Sequence, residues 1–304
     1  MRWGTWTDER CGQLKKHVFQ GVATALVTPF SQDGSIHYDN FKKLIDFQIN
    51  AGVDALVVCG TTGEASTLSY TEHQELVSFC CAYVNGRVPV IAGSGSNDTA
   101  HAVEQSFSCQ KNGANALLVV TPYYNKTSQS GLLRHYYTIA ESVDLPIIVY
   151  NVPSRTGVNI LPETYRKLAE CDNICAIKEA SGNISAVAQT AQLCGDVLDL
   201  YSGNDDQIVP ILSLGGKGVI SVLSNFRPDI VKNICSLYFA QNTHAAAQLQ
   251  LHALPLIRAL FSDVNPMPVK YAMNLLGFDV GPCRLPLTEP DEACKNAVEK
   301  NLQF

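Results

Sequence analysis

The stretch "LPIIVYNVPSRTG", residues 145–157, contains a strand and its abrupt end. Ile147, Ile148, Val149 and Tyr150 are β-branched or aromatic, types that suit a pleated backbone better than a helix. The run is apolar at odd and even positions alike, as expected of a strand covered on both faces, the usual situation in parallel sheets. Pro153 and Gly157 then break the strand and turn the chain. Tyr150, Asn151 and Arg155 bring a phenol, an amide and a guanidinium to that break, so the strand terminus is a place to look for chemistry.

Similar runs recur on either side: "VATALVT" from Val22, "ALVVCG" from Ala55, "VPVIAGSG" from Val88, "ALLVVTPYY" from Ala116, "ICAIKEAS" from Ile174, "DLYSGND" from Asp199 and "KGVISVLS" from Lys217. Together with "LPIIVYN" from Leu145 they make eight expected strands, starting about 18 to 33 residues apart. Most intervals hold a segment of helical period, such as "YDNFKKLIDFQINAG" and "SGLLRHYYTIAESV". Eight strand–helix units imply the α/β class, and a closed (β/α)8 TIM barrel rather than an open doubly wound sheet. Beyond about residue 225 the rhythm stops. "DIVKNICSLYFAQ" and "HAAAQLQLHALPLIRALF" read as helices, broken by "NPMP". The expected organisation is an N-terminal extension over 1–20, a catalytic barrel over 21–225 and a C-terminal helical region over 226–304. No Pro-, Gly- or Ser-rich linker precedes that region, so it should pack on the barrel. The sequence assigns no role to the extension.

The chain has 304 residues, 46% of them hydrophobic, which is enough to bury a large core. A net charge of −6, with no basic cluster longer than Lys15-Lys16, gives nucleic acid and anionic membranes little to bind. No segment has the apolar length of a secretory signal or a membrane span. The eleven cysteines are scattered through expected strands and helices, as buried thiols in a reducing compartment would be. A cytoplasmic location follows. No CxxC pair occurs, and Cys171 and Cys175 lack nearby histidines, so no metal site is expected.

In a parallel barrel the carboxyl ends of all strands converge on one face, and polar residues there can meet although distant in sequence. The second strand ends in "GTTGE", residues 60–64, whose hydroxyls and backbone donors suit a small carboxylate; a helix cap is the alternative. "GSGSND", residues 93–98, lacks the third glycine of a dinucleotide-binding loop. Tyr123 and Tyr124 follow the fourth strand and Tyr150 ends the fifth, where aromatic residues more often pack than react. Lys178, in "ICAIKEAS", is the residue hardest to explain by structure alone. A buried ammonium costs several kcal/mol, and burial favours the neutral amine that attacks carbonyls. An ion pair with Glu179 is the competing account, but Glu179 should point to the opposite face of the strand. Arg155 presents a planar fork suited to a carboxylate; a surface salt bridge is its plainer role.

Taken in order, "GTTGEAS", "VIAGSGSN", "TPYYNK", "YNVPSRTG", "IKEASGN", "YSGND" and "GVISV" resemble the dihydrodipicolinate synthase family of pyruvate-dependent class I aldolases and lyases. The resemblance implies that Lys178 forms a Schiff base with pyruvate and that the enamine attacks aspartate 4-semialdehyde, with no diffusible cofactor. It implies a proton relay of Thr61, Tyr150 and Tyr124, the last reaching into a neighbouring subunit. Thr61 and Thr62 would bind the pyruvate carboxylate, Arg155 would hold the semialdehyde, and Gly203 and the Ile220 carbonyl would line the pocket. The arginine in "SRTG" favours the synthases over the related sugar-acid lyases such as N-acetylneuraminate lyase, which remain the enzymatic alternative. A non-catalytic binder would have no need of the amine. A tight dimer, itself paired into a dimer of dimers, is implied as well.

Many members of the family bind lysine at the dimer interface as a feedback inhibitor. The matching positions are Ala65, Ser66, Tyr70, His73, Asn97, His101 and Tyr123. Ala65 lacks the usual serine hydroxyl, Tyr70 replaces a common histidine, and His101 stands where inhibited bacterial members have a glutamate. Weak or absent lysine inhibition is expected.

Overall fold

The computed structural model describes residues 15–303. Eight strands occur in chain order: β1 (Gly21–Ala25), β2 (Ala55–Val58), β3 (Val90–Gly93), β4 (Ala116–Val120), β5 (Ile147–Asn151), β6 (Ile174–Glu179), β7 (Asp199–Ser202) and β8 (Gly218–Ser221). Each is parallel to its neighbours, and β8 pairs with β1 to close the barrel. The (β/α)8 expectation holds. The two strands expected from Val88 and Leu145 begin two residues late, after Pro89 and Pro146 respectively, because proline has no N–H for a ladder.

Alternation along the strands sorts side chains into two layers. Ala23, Ala25, Ala55, Ala116, Ile148, Ala176 and Tyr201 fill the barrel interior, whereas Val22, Leu56, Leu117, Ile147, Val149, Ile177 and Leu200 pack outward under the helices. The many alanines inside leave room for the few large side chains that enter from the carboxyl end. In this alternation Lys178 shares the interior face with Ala176, and Glu179 shares the outer face with Ile177.

The segments expected as helices are helical at Tyr38–Asn50, Gln129–Glu141, Pro228–Phe239 and Thr243–Leu260. "NPMP" separates the last of these from the helix Met267–Leu275. Ile230, Val231 and Ile234 of Pro228–Phe239 join the outer core. At the amino end of the barrel, residues 15–19 bind across its mouth. Phe19 stacks on Tyr201, with ring centroids 4.1 Å apart, and its carbonyl accepts from the Tyr201 hydroxyl at 2.6 Å. Lys15 Nζ donates to the carbonyls of Ala169, Cys171 and Ile174 at 2.6–2.8 Å. Residues 1–14 of the expected extension lie outside the described residues. Among the described residues no helix is long and apolar enough to cross a membrane. The described cysteines are all unpaired, and no three or more His, Cys, Asp or Glu side chains there are grouped as metal ligands would be.

Candidate active site

Parallel register sets Tyr150 of β5 and Tyr201 of β7 on either side of Lys178 in β6. Lys178 Nζ lies 4.3 Å from the Tyr150 ring centroid. Both residues are only 6% exposed. Burial lowers the Lys178 amine to about 7; Asp205 opposes this and the Arg155 guanidinium adds to it. Near neutrality a large share of the amine is therefore unprotonated and nucleophilic. The competing ion pair with Glu179 does not form. Glu179 faces outward and accepts from Asn151 Nδ2 at 3.1 Å, Tyr165 Oη at 3.2 Å and the Ser181 amide at 2.7 Å.

Thr61 stands close to the Tyr150 hydroxyl and favours its ionised form. Burial raises its pKa, while Arg155 and Thr61 act in the other direction. Arg155 follows β5 in a short helical turn, Pro153–Thr156, and its Nη2 donates to the Asn265 carbonyl at 3.1 Å. Thr62, 3% exposed, accepts from Asn265 Nδ2 at 2.9 Å. At Gly203 a side chain would collide: a Cβ there would stand 2.7 Å from Ala180 Cβ and 3.1 Å from Lys178 Cε. Glycine at this point keeps the lysine's path open. Ile220, in β8, is fully buried in the interior layer.

The turn that carries the threonines is tied down from far along the chain. Glu64 adopts a left-handed φ of 55°, a conformation that costs a non-glycine residue about 1–3 kcal/mol. Its carboxylate accepts from Lys270 Nζ and from the Arg284 amide, each at 2.9 Å. Lys270 also donates to the Thr28 and Pro282 carbonyls. The neighbouring Gly63 carbonyl accepts from Thr28 Oγ1 at 2.6 Å. Asp205 braces the opposite side of the site: its Oδ2 accepts from the amides of Val222 and Leu223, and its Oδ1 is buried without a partner among the described residues.

The sequence-derived residues thus separate into two groups. Lys178, Tyr150, Thr61, Thr62 and Arg155 gather at the carboxyl end, with Gly203 beside the lysine and Ile220 at the end of β8. Tyr124 does not join them within one chain; it stands 90% exposed with a left-handed φ of 70°. Among the expected effector positions, His73 is buried and its Nε2 bonds the Gly93 carbonyl at 2.8 Å, whereas Ser66, Tyr70 and His101 are exposed. Ala65 opens a short 3₁₀ turn, Tyr123 is 38% exposed, and the Asn97 carbonyl accepts from Asn125. Glu104, one turn after His101, lies close enough to Tyr70 to raise its pKa, a carboxylate the sequence reading left out. Sequence reasoning also missed Asn265, Lys270 and Asp205; the "NPMP" break was the one local sign of the first.

A parallel barrel with a buried, near-neutral lysine amine at the end of its sixth strand, flanked by a phenol and a guanidinium, defines a lyase of the class I aldolase type. The comparisons narrow this further. The chain belongs to the dihydrodipicolinate synthetase family, whose model matches residues 18–304. It is 54% identical over 286 residues to 4-hydroxy-tetrahydrodipicolinate synthase 1 of Clostridium acetobutylicum, covering 94% of this chain and 97% of that one. Among solved structures it resembles the dihydrodipicolinate synthase of Thermotoga maritima, with a TM-score of 0.92, 43% identity, and coverage of 94% of this chain and 98% of that one. It also resembles the enzyme of Cyanidioschyzon merolae with lysine bound, with a TM-score of 0.91, 41% identity, and coverage of 95% and 98%.

Proposed function

We propose that the protein is a 4-hydroxy-tetrahydrodipicolinate synthase that condenses pyruvate with aspartate 4-semialdehyde in the cytoplasm, on the route to diaminopimelate and lysine. The observation that carries this is the buried Lys178 amine, lowered to about 7, against the Tyr150 ring.

Lys178 adds to the pyruvate ketone and loses water to give an iminium. That cation acidifies the methyl group, and loss of a methyl proton gives an enamine. The enamine carbon bonds to the aldehyde carbon of the semialdehyde, whose carboxylate Arg155 holds. The semialdehyde's amine then attacks the imine carbon, the ring closes, and the C–N bond to Lys178 breaks to free the enzyme. Thr61 and Tyr150, close to one another, move protons at the reacting carbons. Thr61 and Thr62 receive the pyruvate carboxylate, and Gly203 and the Ile220 carbonyl line the pocket. Tyr124, too exposed to serve its own site, completes the relay of a neighbouring subunit across a tight dimer, and two such dimers pair. The protein's amine acts as the electron sink, so no diffusible cofactor is required.

Borohydride reduction in the presence of pyruvate adds a stable mass to Lys178, and turnover requires the semialdehyde. Adduct formation combined with cleavage of N-acetylneuraminate would replace the synthase with a sugar-acid lyase. The effector positions fit weak or absent lysine inhibition. Ala65 offers no hydroxyl and His101 no negative charge. Half-inhibition by micromolar lysine would overturn this.

A further inference from the structure

Asn265 comes from the segment between the helices Thr243–Leu260 and Met267–Leu275, outside the barrel, yet it touches two site residues at once. Its side-chain Nδ2 donates to Thr62 Oγ1 at 2.9 Å, and its backbone carbonyl accepts from Arg155 Nη2 at 3.1 Å. The residue is 6% exposed, and its Oδ1 is buried with no partner among the described residues. An unmet buried acceptor costs about 1–3 kcal/mol. The amide is therefore held in place from its donor side, at Thr62.

We propose that Asn265 is a positioning residue: it fixes Thr62 as a proton donor toward the keto acid's carboxylate, and its backbone sets Arg155 beside that subsite. The proposal rests on the reading in which Thr62 receives that carboxylate. A hydroxyl has one proton to donate and two lone pairs. With one lone pair engaged by the asparagine N–H, the Thr62 proton points away from Asn265 and is free for an acceptor in the pocket. An ionised carboxylate, which only accepts, matches it. The same residue gives the exposed Arg155 a fixed point, so the C-terminal region helps to define both substrate subsites.

The decisive variant is Asn265→Asp, which is nearly isosteric and keeps the backbone carbonyl but reverses the hydrogen bond. Its carboxylate takes the Thr62 proton and places a negative charge near the keto acid. The KM for pyruvate should rise about 100-fold, borohydride trapping at low pyruvate should fall in parallel, and the KM for the semialdehyde should change little. Asn265→Ala, which only frees the hydroxyl, should raise the pyruvate KM about 10-fold. A merely structural role predicts the opposite order, with alanine worse than aspartate and a matching drop in melting temperature; that order would overturn the proposal. In a Thr62→Val background Asn265→Ala should not raise the pyruvate KM further, and an additive effect there would also overturn it. If the aspartate variant does not fold, the alanine variant in this cycle carries the test. Failure of the wild-type enzyme to trap pyruvate at all would sink the underlying reading, a result distinct from any of these.

Discussion

Lys178 and Lys270 are both buried, at 6% and 2% exposure, and each ammonium position lies over an aromatic ring. Their surroundings otherwise differ. Lys270 meets a carboxylate at 2.9 Å and two backbone carbonyls, so all three of its donors are used. Among the described residues Lys178 Nζ has no hydrogen bond or ion pair, and its nearest cationic influence, Arg155, favours loss of its proton. Burial lowers both amines and a carboxylate opposes it at each, Glu64 in direct contact with Lys270 and Asp205 acting on Lys178 from beyond ion-pair distance, where the drop still reaches about 7. The partner, rather than the depth of burial, separates a structural lysine from a reactive one.

The two lysines should therefore respond in opposite ways to the same substitution. Lys178→Met should cost on the order of 10⁴-fold or more in kcat/KM and abolish the borohydride adduct; substantial turnover by this variant would erase the contrast. Lys270→Met leaves the Glu64 carboxylate buried and unpaired, and should lower stability by about 3–5 kcal/mol in urea melts. A neutral result there would mean that the ion pair does not anchor the turn.

Lys178→Met should instead stabilise the fold, by about 1–3 kcal/mol, because a poorly accommodated charge is removed. The pH dependence gives the sign. With a folded pKa near 7 and an ordinary lysine value of 10.5, the unfolded chain keeps a proton that the folded protein has lost between those limits. Wild-type stability therefore rises with pH across that window. The variant's advantage should be greatest below about pH 7 and shrink toward pH 10.5; an advantage that grows with pH would contradict the assigned pKa. The smallest effect concerns Arg155. Its replacement by alanine should move the midpoint for adduct formation upward from about 7, as measured by trapping rate against pH. A downward move would show that the guanidinium does not act on the amine.

Most of the barrel was legible because its determinants are local. The eight strands were visible as apolar runs, and the period of two put Lys178 and Glu179 on opposite faces of their strand. Strand starts were misjudged by more than one residue only where Pro89 and Pro146 withhold a ladder N–H. Lys178 stood out because an ammonium in an apolar strand demands an explanation. Asn265, Lys270 and Asp205 did not stand out. A single polar residue usually faces water, and apart from the "NPMP" break beside Asn265 nothing local separates these from that majority.

The sequence by itself determined the alternation of strand and helix, the closed barrel and the strand ends that hold the reactive groups, since side-chain period and backbone preference act over a few residues. Tertiary structure alone decided which buried lysine has a carboxylate in direct contact and which does not. It also brought Asn265 to Thr62 and Lys270 to Glu64, across separations of 203 and 206 residues. A proton's affinity for an amine depends on whatever the fold places within a few ångströms, and those neighbours come from distant parts of the chain.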